Sequence, residues 1–200
     1  MLTRALRRQL LSAEALLVGG SAGAIEALNQ LLPVVPQAAR IPVLVIVHLL
    51  PNRASLLPEV FAPRCRARVL EPVDKQAMTA GTIWFAPSNY HLLLEADRSF
   101  AFSTDLPVNF SRPSLDVSFE SAAEVFGARL CCIVLSGANE DGAHGADLVR
   151  RKGGLVIVQD PSSAEAKQMP RAAISRANPQ IIASLPKIAE LVGLLTRACP

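Results

Sequence analysis

The sequence predicts an α/β fold: a doubly wound, mainly parallel sheet of the Rossmann or flavodoxin-like, three-layer kind, with an antiparallel hairpin near residues 82–103. Short runs rich in Val, Ile and Leu alternate with helical patterns, which is typical of βαβ units. Hydrophobic residues make up 50% of the chain, enough for strands buried on both faces. Because 200 residues are few enough for one core, we expect residues 1–200 to form a single domain.

Six apolar runs predict the strands, since each is short and bounded by turn residues. They are residues 15–18, 43–47, 67–70, 82–85, 130–135 and 155–158. Four segments have apolar residues at helical spacing and are long enough to cover a face of the sheet. They are residues 25–32, 115–126, 143–152 and 188–196.

The segment 82–103 departs from this alternation. Its sequence contains WFAPSNYHLLLE followed by SFAFS, with turn residues close together and no room for a crossover helix. We therefore expect antiparallel strands there. A helix follows at Arg112-Pro113-Ser114, where Ser114 or a neighbour is the expected N-cap and Asp116 is favourable near the positive end of the helix.

Composition excludes several classes of protein. Aromatic residues are only 4% of the chain and the net charge is +3, so neither stacking platforms nor a basic field point to nucleic acid. The four cysteines show no CxxC or other zinc spacing and are expected to be reduced. Charged residues interrupt any signal-peptide core, and no apolar run reaches membrane-spanning length. We expect a cytoplasmic protein that is not embedded in a membrane.

A possible nucleophile lies in the segment GGSAG, residues 19–23, between a predicted strand and a predicted helix. The letters match GxSxG, in which a sharp turn exposes the serine hydroxyl above the sheet edge. A dinucleotide loop would need glycine where Ser21 and Ala24 stand. On this motif alone, a helix-capping serine is as good an explanation.

A histidine and an aspartate occupy equivalent positions elsewhere in the chain. His48 directly follows the run VLVIV, and Asp141 lies in SGANEDG after another strand. Taken singly, His48 is explained as a satisfied polar residue and Asp141 as a helix cap. Ser21, however, also follows a strand, and the carboxyl ends of parallel strands share one edge where ligands bind. A Ser, a His and an Asp gathered there suit acyl transfer.

Spacing leaves alternatives open. Asp160 also follows a strand, and His91 lies in the expected antiparallel region. An α/β-hydrolase is disfavoured because its histidine comes last of the three residues, and its serine follows several strands rather than the first. A metal site at Asp141, His144 and Asp147 has helix-compatible spacing but no convincing further ligands. A flavodoxin-like nucleotide site lacks a glycine-rich phosphate motif.

Six motifs carry a family resemblance over nearly the whole chain. In order they are VGGSAGAIEAL, VIVHLLP, IWFAPSNYHLLLE, RPSLDVSFESAA, IVLSGANEDGAHG and VQDPSSAEAKQMPRAAI. In this order they resemble the chemotaxis protein-glutamate methylesterases of the CheB type. The resemblance implies hydrolysis of glutamyl methyl esters on chemoreceptors, and deamidation of receptor glutamines, without metal or organic cofactor. It implies Ser21 as nucleophile, His48 as general base and Asp141 as the residue that orients His48.

The resemblance also assigns secondary residues. His91 matches a family histidine near the active site, and Arg112 belongs to a segment that borders the cleft. We expect the backbone N–H groups near Ala22 and in the turn Ala138-Asn139 to bind the oxyanion.

Two loops depart from the family pattern. Residues 22–24 are Ala-Gly-Ala where the family has Thr and two glycines, and residues 136–140 are Ser-Gly-Ala-Asn-Glu where it has a Thr-Gly-Met-Gly pattern. These changes motivate an alternative, a catalytically weak signalling module that binds a receptor helix in the same cleft.

The resemblance further implies partners and control. The expected partners are the methylated cytoplasmic helices of a chemoreceptor and a separate regulatory protein. Because the nucleophile loop begins at residue 19, we expect a stand-alone form without the family's receiver domain, and therefore constitutive activity.

Overall fold

The fold is described for residues 3–49 and 55–197 by a computed structural model. Within these residues the strands are β1 (Ala15–Gly20), β2 (Val43–Val47), β3 (Arg68–Leu70), β4 (Thr82–Phe85), β5 (His91–Leu94), β6 (Phe100–Ser103), β7 (Leu130–Val134), β8 (Leu155–Gln159) and β9 (Ile181–Ala183). The α-helices are α1 (Arg4–Ser12), α2 (Ala24–Leu31), α3 (Leu57–Phe61), α4 (Leu115–Phe126), α5 (Ala143–Arg151), α6 (Gln168–Ala177) and α7 (Leu185–Thr196). No helix in the described part of the chain is long and apolar enough to cross a membrane.

The main sheet has seven strands in the order β3-β4-β2-β1-β7-β8-β9, and all its pairings are parallel. From β1 at the centre, the chain first builds the side that contains β2 and later returns to build the side that contains β7. The strand order therefore reverses at β1. In open parallel sheets such a switch point opens a crevice at the carboxyl ends of the strands.

Helices cover both faces of this sheet. Along β1, Leu16 and Val18 belong to one core and Ala15 and Leu17 to the other, because successive side chains point to opposite faces. Helices α1, α2 and α7 contribute to the first core, and α4, α5 and α6 to the second. The doubly wound, three-layer prediction is confirmed.

The element predictions hold with two qualifications. The strands 43–47 and 82–85 and the helix 115–126 have the predicted bounds. The antiparallel region is smaller than expected, because β4 pairs in parallel with β2 and β3, and only β5 and β6 form the hairpin. All four β4 residues are buried, which suits an inner strand. Helices α1, α3 and α6 and strand β9 were not predicted, since they are short or polar.

The crossing of α4 and α5 depends on a glycine. A Cβ added at Gly145 would lie 2.6 Å from Phe119 Cβ and 2.9 Å from the Asp116 carbonyl oxygen. Backbone atoms cannot move aside as the end of a side chain can. In α7, by contrast, a Cβ added at Gly193 would find its nearest atom, Arg197 Nη2, at 4.0 Å.

We predict that the same substitution has opposite effects at these two helical positions. Gly193→Ala should raise the free energy of unfolding by about 0.5–1 kcal/mol, the ordinary gain of alanine over glycine in a helix. Gly145→Ala should lower it by about 1–3 kcal/mol, because overpacking outweighs that gain. Urea unfolding of both variants and the wild type measures the difference. Stabilisation by Gly145→Ala would show that the helix crossing is not close-packed.

Candidate active site

Ser21 lies on the turn that joins β1 to α2. Its backbone N–H donates to Ser136 O at 2.8 Å, and its carbonyl accepts from the Ala24 N–H at 2.9 Å. Gly23 has a φ of 77°, a left-handed conformation that side chains disfavour. A Cβ at Gly20 would lie 2.7 Å from Ala24 Cβ. The glycines of the GGSAG segment therefore permit the turn that leaves Ser21 half-buried at the sheet edge.

His48 follows β2, the neighbour of β1. Gly20 pairs with Val47 in the parallel register, so Ser21 and His48 are each the first residue beyond their strands. The His48 N–H donates to Gly20 O at 3.4 Å. The imidazole Nε2 lies 2.7 Å from Asp141 Oδ2, and only 11% of the His48 side chain is exposed.

Asp141 lies on the loop between β7 and α5, and its carboxylate is fully buried. The N–H groups of Leu115 and Asp116 donate to it at 2.7 and 3.2 Å, and the Ser114 hydroxyl donates at 2.7 Å. These three groups form the N-terminus of α4, whose positive end favours an anion. Asp141 was a candidate cap for α5, but its carboxylate caps α4 instead.

The surroundings of Asp141 keep it ionised. Burial alone would raise the pKa of its carboxyl, but hydrogen bonds from His48, Leu115 and Ser114 outweigh burial and lower the pKa below its ordinary value. Asp116 nearby behaves differently. Burial and the charge of Asp141 raise its pKa, against the opposing effect of the Gly145 N–H that donates to it at 2.8 Å.

A turn at residues 108–111 holds the Asp–His pair from the other side. Val108 and Ser111 exchange two backbone hydrogen bonds of 3.2 and 2.9 Å around the turn. Asn109 Nδ2 donates to Asp116 Oδ2 at 3.0 Å and to Asp141 Oδ1 at 3.2 Å. Ser111 Oγ lies 3.1 Å from His48 Nδ1. Asn109 and Phe110 both have positive φ.

The Ser21 hydroxyl is not yet engaged in this arrangement. No residue among 3–49 and 55–197 forms a hydrogen bond with Ser21 Oγ. The two ring nitrogens of His48 bond instead to Asp141 and Ser111. The structure thus pairs the predicted histidine with the predicted aspartate and places the predicted serine at the end of the strand next to that of His48.

His91 and Arg112, two of the secondary residues, hold the segments around the site in place. His91 is 1% exposed; its Nδ1 accepts from the Ser114 N–H at 3.3 Å and its Nε2 lies 3.1 Å from Leu106 O. Both nitrogens are therefore occupied by protein groups, and the ring positions Ser114. Arg112 Nη1 donates to Thr104 O at 2.6 Å and to Asp105 O, which ties down the loop before the 108–111 turn.

The expected oxyanion donors lie on the nucleophile and acid loops. Among the residues that the structure describes, none accepts a hydrogen bond from the backbone N–H of Ala22, Ala138 or Asn139. The side chain of Asn139 is structural: its Nδ2 donates to Asn109 O at 3.2 Å. Ser136 joins the two loops, since its Oγ donates to Ala22 O at 2.7 Å.

The alternative site residues are bonded to other groups and do not contact His48. Asp160 Oδ1 accepts from the Ser162 N–H at 2.8 Å in its own turn, whereas His48 contacts Asp141. Asp147 pairs with Arg151, and His144 with Arg176. In the part of the chain that the structure describes, no group of three or more His, Cys, Asp or Glu side chains could hold a metal.

A cavity of about 510 Å³ lies between α4, α5 and α6, and Ser21, His48 and Asp141 are not among its lining residues. Asn109 and Asp116 line the wall nearest Asp141, and Glu120, His144 and Arg176 line the far walls. Asn109, Ser111 and Ser136 were not among the predicted site residues. Ser136 lies in the same loop after β7 as Asp141, which is a signal that could have found it; Asn109 and Ser111 had none.

Curated relatives are similar to this chain in sequence. The chain is 42% identical over 178 residues to a putative protein-glutamate methylesterase/protein-glutamine glutaminase of Leptospira interrogans, covering 89% of this chain and 92% of that protein. A protein-glutamate methylesterase/protein-glutamine glutaminase of Trichodesmium erythraeum is 34% identical over 184 residues, which are 90% of this chain but 52% of that protein.

A solved structure and a family model agree with these relatives. The crystal structure of the Thermotoga maritima CheB methylesterase catalytic domain superposes with a TM-score of 0.87 at 26% identity, over 92% of this chain and 99% of that one. The family model of CheB methylesterase matches residues 16–192, which contain Ser21, His48 and Asp141. The chain therefore belongs to the CheB methylesterase family.

Proposed function

We propose that this chain is a carboxylic ester hydrolase that removes methyl groups from glutamyl γ-methyl esters, with Ser21 as nucleophile, His48 as general base and Asp141 as the group that orients His48. The observation that carries the proposal is the 2.7 Å contact between His48 Nε2 and Asp141 Oδ2. His48 follows β2, the strand next to β1, and Ser21 follows β1. The names of the relatives, protein-glutamate methylesterase/protein-glutamine glutaminase, support the same substrate class.

The contacts of His48 indicate which ring nitrogen acts as the general base. Asp141 holds Nε2, so Nδ1 is the atom that accepts the proton as Ser21 Oγ attacks the γ-carbonyl carbon. The imidazolium then gives this proton to the departing methoxide, and methanol leaves. A water molecule, deprotonated by Nδ1, attacks the Ser21 ester; the imidazolium returns that proton to Ser21 Oγ as the ester bond breaks, and the glutamate product leaves.

Backbone groups are suited to bind the oxyanion of each tetrahedral intermediate. The N–H of Ala22 follows the nucleophile directly, and Ala138 and Asn139 lie on the loop that Ser136 ties to the nucleophile loop. An oxyanion donor of this kind typically contributes about 3–4 kcal/mol to transition-state binding.

The same acyl-enzyme accounts for a second reaction. If the side chain is a glutamine, His48 protonates the departing amine, ammonia leaves in place of methanol, and the product is again glutamate. The relatives' double name supports both reactions. We further propose that the substrates are methylated cytoplasmic helices of a chemoreceptor and that the chain acts in the cytoplasm.

Ser21→Ala should lower methanol release from methylated receptor membranes by at least about 10³-fold, because no other group replaces the nucleophile. The fold should be unchanged, since Ser21 contributes backbone hydrogen bonds that alanine retains. Ser12→Ala is the control, because that hydroxyl donates to Gln9 O in α1. Wild-type turnover by Ser21→Ala would exclude Ser21 as nucleophile. No methanol from the wild type would favour a receptor-binding module.

Asp141→Asn should reduce kcat by about 10⁴-fold, because an amide does not stabilise the imidazolium beside it. Rates are normalised to folded protein measured by circular dichroism, since Asp141 also caps α4. Asp160→Asn is the matched control after the neighbouring strand β8 and should remain active. If Asp160→Asn were the damaging change instead, the assignment of the carboxylate would be wrong.

The value of kcat/KM should rise with pH between about pH 5 and 8, because only neutral imidazole can accept the Ser21 proton. The lowered pKa of Asp141 keeps this carboxylate ionised throughout the range, so a single ionisation should describe the rise. Initial rates with a small activated ester across this range test it. A flat profile would argue against a histidine base.

A further inference from the structure

The base nitrogen of His48 already has a partner that is not the proposed nucleophile. Ser111 Oγ lies 3.1 Å from Nδ1, in a half-buried position on the 108–111 turn. Within the described chain, Ser21 Oγ has no hydrogen bond. Ser111 is therefore hydrogen-bonded to the base nitrogen, whereas Ser21, which begins the loop after the neighbouring strand, is not.

The direction of the Ser111 hydrogen bond follows from the rest of the network. Asp141 is ionised and can only accept, so the proton of a neutral His48 lies on Nε2. Nδ1 is then bare, and it can only accept. Ser111 must donate its hydroxyl proton to Nδ1.

A bare imidazole nitrogen has one lone pair, in the plane of the ring. While Ser111 donates to this lone pair, Nδ1 cannot accept the proton of Ser21. The Ser111 hydroxyl has a second acceptor within reach, because Asn109 O lies 3.4 Å from Ser111 Oγ. A rotation about the Cα–Cβ and Cβ–Oγ bonds of Ser111 is enough to move the hydroxyl proton from His48 Nδ1 to Asn109 O.

We propose that Ser111 is a positioning residue that competes with Ser21 for His48 Nδ1 and holds the free enzyme in a resting state. Acylation begins when the Ser111 hydroxyl turns to Asn109 O and frees the lone pair. The inference rests on the proposed function, since it assumes that Ser21 is the nucleophile and His48 its base.

The turn that carries Ser111 is suited to this role. Asn109 fastens the turn to Asp116 and Asp141, so Ser111 stays beside the ring in both hydroxyl orientations. Phe110, at the tip of the turn, is fully exposed. A substrate chain that enters the cleft would meet the turn there.

The first test is the rate at which an activated ester, p-nitrophenyl acetate, acylates Ser21 in a pre-steady-state burst. Ser111→Ala should acylate about three- to tenfold faster than the wild type, which corresponds to removing one neutral hydrogen bond from the resting state. The gain should appear in the acylation rate constant and not in the apparent KM. Structural damage would lower the rate, so a gain has no such explanation.

Two matched variants accompany Ser111→Ala. Ser111→Thr keeps the hydroxyl and should acylate at the wild-type rate. Ser103→Ala removes a hydroxyl from the adjacent β6, where it donates to Asp105 Oδ2, and should also have no effect. Acylation of Ser111→Ala at or below the wild-type rate would overturn the proposal.

The second test observes His48 directly by ¹⁵N NMR of the free enzyme, above the pH at which the ring is protonated. Ser111→Ala should shift the Nδ1 resonance towards that of an imidazole nitrogen with no donor, while Ser111→Thr leaves it in place. An unmoved resonance would overturn the proposal. Because neither test uses receptor, acylation of Ser21 without methanol release from receptor would contradict the proposed substrate and not the role of Ser111.

Discussion

The Asp141 carboxylate at the N-terminus of α4 is the interaction on which the rest of the site depends. A buried carboxylate is tolerated only when donors replace its lost hydration. Here the donors come from α4, the 108–111 turn and His48. Because three separate segments meet at one charge, their relative positions are defined together. The hairpin is attached to the same centre through His91, which accepts from the Ser114 N–H.

Close packing reinforces this electrostatic centre. Leu115, the first residue of α4, packs on both the nucleophile strand and the acid loop. A Cβ at Gly19 would lie 2.3 Å from Leu115 Cδ2, and one at Gly142 would lie 2.9 Å from the same atom. Glycine at these positions lets α4 approach the sheet edge closely enough for its N–H groups to reach Asp141. The glycines that resemble a nucleophile motif in the sequence thus also serve helix packing.

The sequence was sufficient for most of the main sheet, though not for β9, and for placing Ser21, His48 and Asp141 in loops at one edge of it. Buried strands leave a strong apolar signal, and the carboxyl ends of parallel strands meet at one edge. Contacts made by turns leave no comparable signal. The positive φ of Asn109 and Phe110 and the contact of Ser111 with His48, 63 residues away in the chain, depend on the completed fold. The predicted bounds of the antiparallel region were wrong, because the apolar sequence of β4 does not distinguish parallel from antiparallel pairing.

The strand order bears on why Asp141 contacts Nε2 of His48 and leaves Nδ1 for the nucleophile. In the sheet β1 lies between β2 and β7, so the His48 ring must reach over the end of β1 to meet Asp141 on the far side. Neighbouring strands are roughly 4.8 Å apart, and Nε2 is the ring nitrogen farther from the His48 backbone. Nδ1, the ring nitrogen nearer the backbone, is then the one not held by Asp141, and Ser21 is the first residue beyond the neighbouring strand β1. In chymotrypsin-like triads the aspartate takes Nδ1 instead. The reversed use of the ring here follows from where the three strands lie.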